Sequence, residues 1–156
     1  MPPPVVRRAT RKDIGDIVDF NKAMALETEI ISLDSKILAP GVEEIFKDPT
    51  HGFYIVCEVE ETVRACLMIT YEWSDWRNGL FWWIQSVYVQ KEYRELGLYK
   101  QMYEFVKTLT DRSKNVVGIR LYVDHDNTKA QNVYTKLGMT KSNYQLFEYN
   151  KLKGKK

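Results

Sequence analysis

The sequence predicts a mixed α+β fold in which a mostly antiparallel sheet carries helices on both faces. Between residues 53 and 71, apolar side chains alternate with other residues on either side of Glu60 and Glu61, a pattern typical of a β-hairpin. Over residues 97–111, apolar side chains recur at helical spacing between two β-like runs. That order predicts a β-α-β step, in which two parallel strands are joined by a right-handed crossover.

Capping residues and a proline set the expected limits of the first two helices. Thr10 is a favoured N-cap, and Asp13 three residues later gives a variant of the capping box, so a helix is expected over 11–26. A second, short helix is expected after Gly41. It ends before Pro49, because the residue that precedes a proline disfavours helical backbone.

Strands, turns and helices alternate along the rest of the chain. The apolar run over 116–123 is nearly continuous, as expected of a strand covered on both faces, and Gly138 stands where a helix favours a left-handed C-terminal residue. The predicted order is β-α-α-β-β-β-α-β-α-β in a single domain of residues 1–150, followed by a basic tail over 151–156. The further elements are a strand over 5–9, an irregular stretch over 27–32, a long turn over 73–79, a strand over 80–89, a helix over 128–137 and a strand over 144–149.

Size, composition and charge exclude several classes of protein. With 156 residues, of which 44% are hydrophobic, the chain can bury a single core, and its net charge of +2 argues against a nucleic-acid-binding protein. No apolar run approaches the ~20 residues that span a bilayer, and the N-terminus lacks the layout of a signal peptide. Cys57 and Cys66 lack metal-ligand spacing and are expected to be free thiols in a reducing compartment. The sequence therefore predicts a cytoplasmic protein that binds no membrane, nucleic acid or metal.

Two motifs carry the expected chemistry. The first runs from Arg94 to Tyr99, where a β-rich run meets a short loop with Gly97 and then a strongly amphipathic helix. Backbone N–H groups at a helix N-terminus lack partners within the helix, so such a loop can bind an anion such as a pyrophosphate. The second motif lies downstream and comprises Asn127, Ala130 and Tyr134.

The two motifs at this spacing resemble those of the GNAT superfamily of N-acetyltransferases, and the resemblance extends over residues 5–149. The family's acyl-CoA loop reads Arg/Gln-x-x-Gly-x-Gly/Ala. Arg94 and Gly97 match this pattern, whereas Tyr99 replaces the last small residue. The resemblance implies a GNAT-like sheet with splayed central strands and acetyl-CoA as the co-substrate. The family's second pattern is matched by Asn127, Ala130 and Tyr134.

The resemblance also implies where acetyl-CoA binds. Backbone N–H groups of the loop would hold the pyrophosphate, and Asn127 would lie beside the pantetheine. Tyr134 would lie beside the thioester sulfur, where a phenol can stabilise or protonate the departing thiolate; a tyrosine packed in the core is the alternative. The implied cofactor-binding residues are the strand positions Val87, Tyr88 and Val89, the loop positions Arg94, Glu95, Leu96, Gly97, Leu98 and Tyr99, and the helix positions Asn127, Ala130 and Tyr134.

The group that accepts the proton of the attacking amine is less well defined. A primary alkylamine has a pKa of ~10.4 and is mostly protonated at neutral pH, and family members often place a glutamate on the fourth strand to accept that proton. This chain has Gln85 and Ser86 there, and a glutamine cannot act as a base at neutral pH. Either a water held by this pair passes the proton to a carboxylate such as Glu72 or Asp75, or the amine binds with a lowered pKa.

Acidic and aromatic residues mark the expected acceptor site. Glu27 and Glu29 follow the first helix, where the family opens this site, and two acids there would attract a cation. A capping or surface role is the alternative for both. Trp73 and Trp76 lie in the expected turn and can stack on a cationic acceptor.

The leading hypothesis is an acetyl-CoA-dependent N-acetyltransferase that acts on the primary amine of a small, cationic acceptor by direct attack in a ternary complex. No cysteine occupies an identifiable catalytic position, which argues against a covalent acetyl-enzyme. Acetylation of a protein N-terminus or a lysine side chain is one alternative. A non-catalytic acyl-CoA-binding module is another, because Gln85 replaces the acid and Tyr99 replaces the small residue. A homodimer is possible in each case.

Overall fold

The computed structural model describes residues 2–152, which form two compact units divided after Leu121. Lys153, Lys155 and Lys156 of the expected basic tail lie outside the described residues. None of the described helices is both long and apolar enough to cross a membrane. The second unit contains α4 (Thr128–Lys136). The first unit contains β1 (Val5–Arg8), α1 (Ile14–Glu29), α2 (Ser35–Lys47), β2 (Gly52–Val59), β3 (Thr62–Ser74), β4 (Gly79–Val89), α3 (Leu98–Asp111) and β5 (Val116–Arg120), with short 3₁₀ turns at Arg11–Asp13 and Lys91–Tyr93.

The five strands form one sheet in the order β1-β2-β3-β4-β5. All neighbouring strands are antiparallel except β4 and β5, which are parallel and are joined through α3. The hairpin between β2 and β3 turns at Glu60 and Glu61, whose φ angles are 52° and 63°. The mixed, mostly antiparallel sheet predicted from the sequence is confirmed.

Helices α1 and α2 cover one face of the sheet. Ile17 of α1 and Val42 of α2 are buried in a core cluster with Val56, Cys66 and Tyr88 of β2, β3 and β4. The register places Val56 opposite Cys66 and Cys66 opposite Tyr88, so the three strand side chains share one face. This packing holds α1 against β3 and β4.

Helix α3 covers the opposite face. Its apolar stripe of Leu98, Met102 and Val106 is at most 1% exposed. The strand residues that alternate with the first cluster, among them Ile55 and Leu67, are also fully buried, and α3 contacts β1, β2, β3 and β5. Burying each such side chain contributes about 1.5–3 kcal/mol. The predicted placement of helices on both faces is confirmed.

The first two helices do not have the expected limits, and α1 includes residues 27–29 of the stretch that was expected to be irregular. α1 continues through Glu29 and ends at Ile30, which adopts a left-handed conformation with a φ of 53°. α2 begins upstream of Pro40, because Asp34 caps it by accepting a hydrogen bond from the backbone N–H of Lys36 at 2.9 Å. The cap and the apolar face of α2 outweigh the one backbone hydrogen bond that a proline removes from a helix.

Two expectations for the strands are wrong. β5 ends at Arg120 and is not covered on both faces, since none of its residues is fully buried and Val117 is 41% exposed. Residues 144–149 form no strand, and the side chain of Phe147 is 91% exposed. Alternating apolar residues describe a segment able to form a strand, but a strand also needs a partner for its backbone hydrogen bonds.

A partly buried ion pair fastens β1 to the start of α1. The Asp13 carboxylate accepts hydrogen bonds from both terminal nitrogens of Arg7, at 2.8 and 3.0 Å, and from the backbone N–H of Thr10 at 2.7 Å. The side chain of Asp13 is 6% exposed and that of Arg7 is 35% exposed. The hydrogen bonds from Arg7 hold the pKa of Asp13 below its ordinary value, even though burial acts in the opposite direction.

We expect Asp13→Asn to lower the free energy of unfolding near neutral pH by about 1.5–3 kcal/mol, the usual contribution of a hydrogen bond to a charged group. A carboxyl with a depressed pKa in the folded state contributes stability above its unfolded pKa and loses it as the pH falls through its folded pKa. The difference between wild type and variant, measured by urea unfolding, should therefore shrink as the pH falls below ~4. A difference that stays constant into acid would contradict this role of Asp13.

Candidate functional site

An irregularity in β4 lies at the centre of the candidate site. Cys66 of β3 pairs with Tyr88 of β4, whereas Met68 pairs with Gln85, so two steps along β3 correspond to three along β4. Ser86, within this stretch, has a positive φ of 51°. An extra residue of this kind is a β-bulge, which bends the strand, redirects its side chains and is frequent beside active sites. The two polar residues singled out from the sequence, Gln85 and Ser86, therefore lie at a bulge.

Strands β4 and β5 separate next to this bulge. Their parallel pairing ends where Trp83 of β4 lies opposite Arg120 of β5. β4 continues to Val89, so its second half has no partner in β5. The expected cofactor-binding positions Val87, Tyr88 and Val89 all lie in this second half. An extended ligand can pair with such a strand in the manner of a further strand.

The loop after β4 presents a group of backbone N–H donors at the N-terminus of α3. Gly97 precedes the helix with a left-handed φ of 78°, and Glu95 has a φ of 62°. Concave loops of this type, followed by a helix, bind anions through their N–H groups. Within residues 2–152, no hydrogen-bond acceptor is found for the N–H groups of Leu96, Gly97, Leu98 and Lys100.

An open groove with a volume of about 560 Å³ begins at this loop. Its lining residues include Gly97, Lys100 and Phe105 from the α3 region and Val6 from β1. This volume lies in the range of small-molecule sites. Lys100 and Glu104 contribute charges of opposite sign to this groove, which extends towards β1, the sheet edge opposite β5.

The side chain of Arg94, the first residue of the motif, is bound within the protein. Its Nη2 donates to Oε2 of Glu27 at 2.7 Å, and its Nε donates to the carbonyl oxygen of Val89 at 2.8 Å. The hydroxyl of Tyr88 donates to the other oxygen of Glu27 at 3.1 Å. The hydrogen bond from Arg94 holds the pKa of Glu27 below its ordinary value, and the same bond raises the pKa of Arg94. Glu27, expected at the acceptor site, is thus paired with the first residue of the loop over 94–99.

Glu72, a candidate acceptor of the amine proton, lies in a row of polar side chains. Its Oε1 accepts hydrogen bonds from Trp83 Nε1 at 2.8 Å and from Arg120 Nη1 at 3.0 Å. Gln85 donates from Nε2 to the hydroxyl of Thr70 at 2.6 Å. Thr70 lies opposite Trp83 in the register, so this row runs along one face of β3 and β4.

The expected aromatic residues of the acceptor site lie at the tip of the β3–β4 hairpin. Trp73 is 58% exposed and Trp76 is 90% exposed. Asp75, the alternative proton acceptor, accepts a hydrogen bond from the backbone N–H of Trp76 at 2.8 Å. Glu29 is the last residue of α1.

In the second unit, the Asn127 motif begins helix α4. Asn127 is the N-cap, and its Oδ1 accepts a hydrogen bond from the backbone N–H of Ala130 at 3.1 Å. The three-residue spacing of this pair is therefore that of an N-cap and its third helical residue. Tyr134 lies one turn further along, is half-buried, and has its pKa raised by burial.

In two surface clusters, potential metal-ligand atoms lie within 4.8 Å of one another. Ordinary pairing between charged surface side chains also explains these contacts. In one cluster, Nε2 of His51 lies 3.2 Å from a carboxylate oxygen of Glu44, which is a simple surface pairing. The expectation that the protein needs no metal stays a prediction. The clusters are Glu44, Asp48 and His51, and Asp124, His125 and Asp126.

Comparison with known proteins identifies the family. The sequence model of the acetyltransferase (GNAT) family matches residues 21–139. The chain belongs to the GNAT acetyltransferase family. No curated protein matches it.

Solved structures agree with this family assignment. A possible acetyltransferase from Clostridium difficile 630 is 43% identical to this GNAT chain, with a TM-score of 0.88 over 94% of this chain and 97% of that one. A predicted acetyltransferase with acetyl-CoA from Clostridium acetobutylicum is 21% identical, with a TM-score of 0.76 over 95% and 96% of the two chains. AAC(6')-Iy, in complex with the bisubstrate analog CoA-S-monomethyl-acetylneamine, is 14% identical, with a TM-score of 0.79 over 95% and 98%. The last two similarities show the fold.

Two features of this GNAT site were not predicted from the sequence. The bulge at Ser86 had one signal, a polar pair inside an otherwise apolar strand, which we interpreted as chemistry and not as backbone geometry. The pairing of Glu27 with Arg94 joins residues far apart in the chain, and no local pattern predicts such a contact.

Proposed function

We propose that the protein transfers the acetyl group of acetyl-CoA to the primary amine of a small, cationic acceptor by direct attack in a ternary complex. The observation that carries this proposal is the group of N–H donors at the N-terminus of α3, where Gly97 is the N-cap. A diphosphate can accept several of these hydrogen bonds at once. The helix dipole adds about 0.3–1 kcal/mol to the binding of such an anion.

The pantetheine arm binds where β4 has left β5. Its amide groups pair with the backbone of Val87 and Val89, with Tyr88 between them, and Asn127 contacts the same arm. The presence of acetyl-CoA in the similar Clostridium acetobutylicum structure supports this choice of donor. Lys100, on the groove beside the loop, adds positive charge for the phosphates.

Tyr134 acts on the leaving group. As the amine nitrogen attacks the thioester carbonyl, a C–N bond forms, the C–S bond breaks, and the departing thiolate takes the phenolic proton. Burial raises the pKa of Tyr134, so its hydroxyl carries its proton at neutral pH. The proton released by the amine then restores the phenol through solvent.

A water held at the bulge removes the proton of the amine. Gln85 and Ser86 hold this water, because Gln85 uses its amide nitrogen on Thr70 and keeps its oxygen as an acceptor. The proton passes towards Glu72, which shares the polar row with Gln85. Arg120 and Trp83 hold the carboxylate of Glu72 in place through their hydrogen bonds, and the proton goes on from there to solvent.

The acceptor carries positive charge. Glu29 brings an acidic side chain to the end of α1, whereas Glu27 is paired with Arg94. Trp73 and Trp76 offer exposed rings on which a cation can stack. AAC(6')-Iy, which has the same fold, is in complex with a compound that joins CoA to an acetylneamine. That likeness of fold is consistent with an amine acceptor.

We place the protein in the cytoplasm. Cys57 and Cys66 are free and fully buried, and burial raises the pKa of Cys66 to about 12. Two buried thiols without a disulfide suit a reducing compartment.

An acetyl-transfer assay with isotopic acetyl-CoA tests the proposed function. Candidate acceptors should include diamines, aminoglycosides, amino sugars, amino acids and peptides, and we expect transfer to small cationic amines. Transfer confined to peptides would instead favour a protein N-terminal or lysine acetyltransferase. Binding of CoA without transfer to any acceptor would favour a non-catalytic acyl-CoA-binding module.

We expect Gly97→Ala to weaken the binding of CoA about tenfold, as measured by calorimetry. Within residues 2–152, nothing beyond the adjoining chain lies within 4 Å of a Cβ at this position, so the cost of about 1–2 kcal/mol comes from the left-handed backbone. The loop relaxes to relieve this cost, and its N–H donors then no longer converge on one point. Gly138→Ala is a matched control, because Gly138 has a φ of 94° and is equally open. It should lose similar stability and keep its affinity. Equal loss of affinity in both variants would contradict the role of the loop.

Tyr134→Phe should lower kcat about a hundredfold and leave the dissociation constant of CoA unchanged, because it removes a proton donor and keeps the aromatic ring. Steady-state kinetics and calorimetry measure the two quantities. Tyr149→Phe, which makes the same change at a position that is 92% exposed, serves as the control and should retain full activity. An unchanged kcat in Tyr134→Phe would rule out the leaving-group role.

We propose further that two copies associate through the segment over residues 144–149. Tyr144, Leu146 and Phe147 are 78%, 64% and 91% exposed, and clustered apolar side chains of this kind mark association surfaces. Sedimentation should find a dimer that Phe147→Glu weakens, whereas the exposed Lys141→Glu, which also adds negative charge, should leave it intact. A monomeric wild type would refute this arrangement.

A further inference from the structure

The Arg94 side chain ties together three elements at the start of the acyl-CoA loop. Its guanidinium is hydrogen-bonded to Glu27 at the end of α1 and to the carbonyl oxygen of Val89 at the end of β4. The guanidinium carbon also lies 5.4 Å from the centre of the Tyr88 ring, and the Tyr88 hydroxyl occupies the second oxygen of Glu27. Both carboxylate oxygens of Glu27 are therefore engaged within the protein.

This geometry differs from the two simpler roles that these charges suggest. An arginine that binds a diphosphate directly aims its fork of donors at the ligand, but two donors of Arg94 are used on Glu27 and Val89. A glutamate that attracts a cationic acceptor keeps its charge available, but the charge of Glu27 is balanced by Arg94 at 2.7 Å. Neither residue is therefore placed to act mainly through its own charge.

The backbone that follows Arg94 explains why an anchor is needed here. Glu95 and Gly97 both have positive φ, at 62° and 78°, so the loop adopts a conformation that is costly for the non-glycine residue. One end of the loop is held by α3. The other end is held by the contacts of Arg94, and fixing it before the ligand arrives removes an ordering cost from binding.

We infer that Glu27, with Tyr88, is a positioning residue for the donor site, which holds Arg94 so that the N–H donors of the loop converge on the pyrophosphate. This inference rests on the proposed function, because it assumes that CoA binds at the loop. Glu27 then contributes to the binding of acetyl-CoA and not to the binding of the acceptor amine.

The two explanations predict opposite effects of Glu27→Gln on the affinity for CoA. Removing a carboxylate near an anion site should strengthen the binding of an anion through charge alone. If Glu27 holds the loop, Glu27→Gln should instead weaken the binding of CoA by about tenfold, the effect of losing one charge-assisted hydrogen bond. Glu29→Gln removes the same charge two residues further along the chain and should not weaken it. Calorimetry gives the dissociation constant of CoA for the wild type and for both variants.

A double-mutant cycle tests whether Glu27 acts through Arg94. Arg94→Gln also removes the hydrogen bond to Val89, so it should lose at least as much affinity for CoA as Glu27→Gln. Adding Glu27→Gln to Arg94→Gln should cost no further affinity, because the contact of Glu27 with Arg94 is already lost. Arg94→Lys keeps the positive charge but cannot reproduce the two-pronged contact, so it should resemble Arg94→Gln. Additive losses, or an affinity restored by lysine, would show that Arg94 acts on the phosphates directly and would overturn the inference.

Kinetics with an accepted amine provide a readout that general destabilisation would not give. Glu27→Gln should raise KM for acetyl-CoA and leave both KM for the amine and kcat at saturating donor unchanged. A raised KM for the amine with an unchanged affinity for CoA would assign Glu27 to the acceptor and overturn the inference alone. A wild-type protein that binds no CoA would overturn the proposed function, and the inference with it.

Discussion

Strand β4 pairs with β3 along its whole length and with β5 only as far as Trp83. The rest of the candidate site depends on this unequal pairing. The unpaired half of β4 contains the bulge at Ser86 and ends at Val89, where the chain enters the loop that begins α3. A strand buried between two fully paired neighbours would present no backbone groups to a ligand. Here the half of β4 that does not pair with β5 is followed directly along the chain by the N–H groups at the start of α3.

The charged side chains around this gap are largely committed to one another. Arg94 is paired with Glu27, and Arg120 is paired with Glu72. These pairs are partly exposed, so each contributes modestly to stability, but each fixes the position of a strand end or a helix end. Backbone donors with fixed directions are then left to bind an anion. Such donors need little reorganisation when a ligand binds, whereas the long side chains of lysine and arginine must first be ordered.

Much of the fold could be predicted from the sequence because its signals are local. The alternation around Glu60 and the helical periodicity after Gly97 each define an element without reference to the rest of the chain. The strand expected over 144–149 was wrong because pairing depends on a partner and not on the segment alone. The same limit applies to the site. The loop and the α4 motif follow from spacing, whereas the contact between Glu27 and Arg94 exists only once α1 packs on β4.

The two thiols have a practical consequence for chemical labelling. Cys57 and Cys66 are inaccessible in the sheet, and burial raises the pKa of both, to about 11 and about 12, so almost no thiolate is present near neutral pH. Alkylating reagents attack the thiolate and need access to it. The native thiols of the folded protein therefore do not react with these reagents. A single cysteine introduced on the surface would then be the one reactive site for a fluorophore or a spin probe. Reaction of the native thiols would report that the sheet itself has opened.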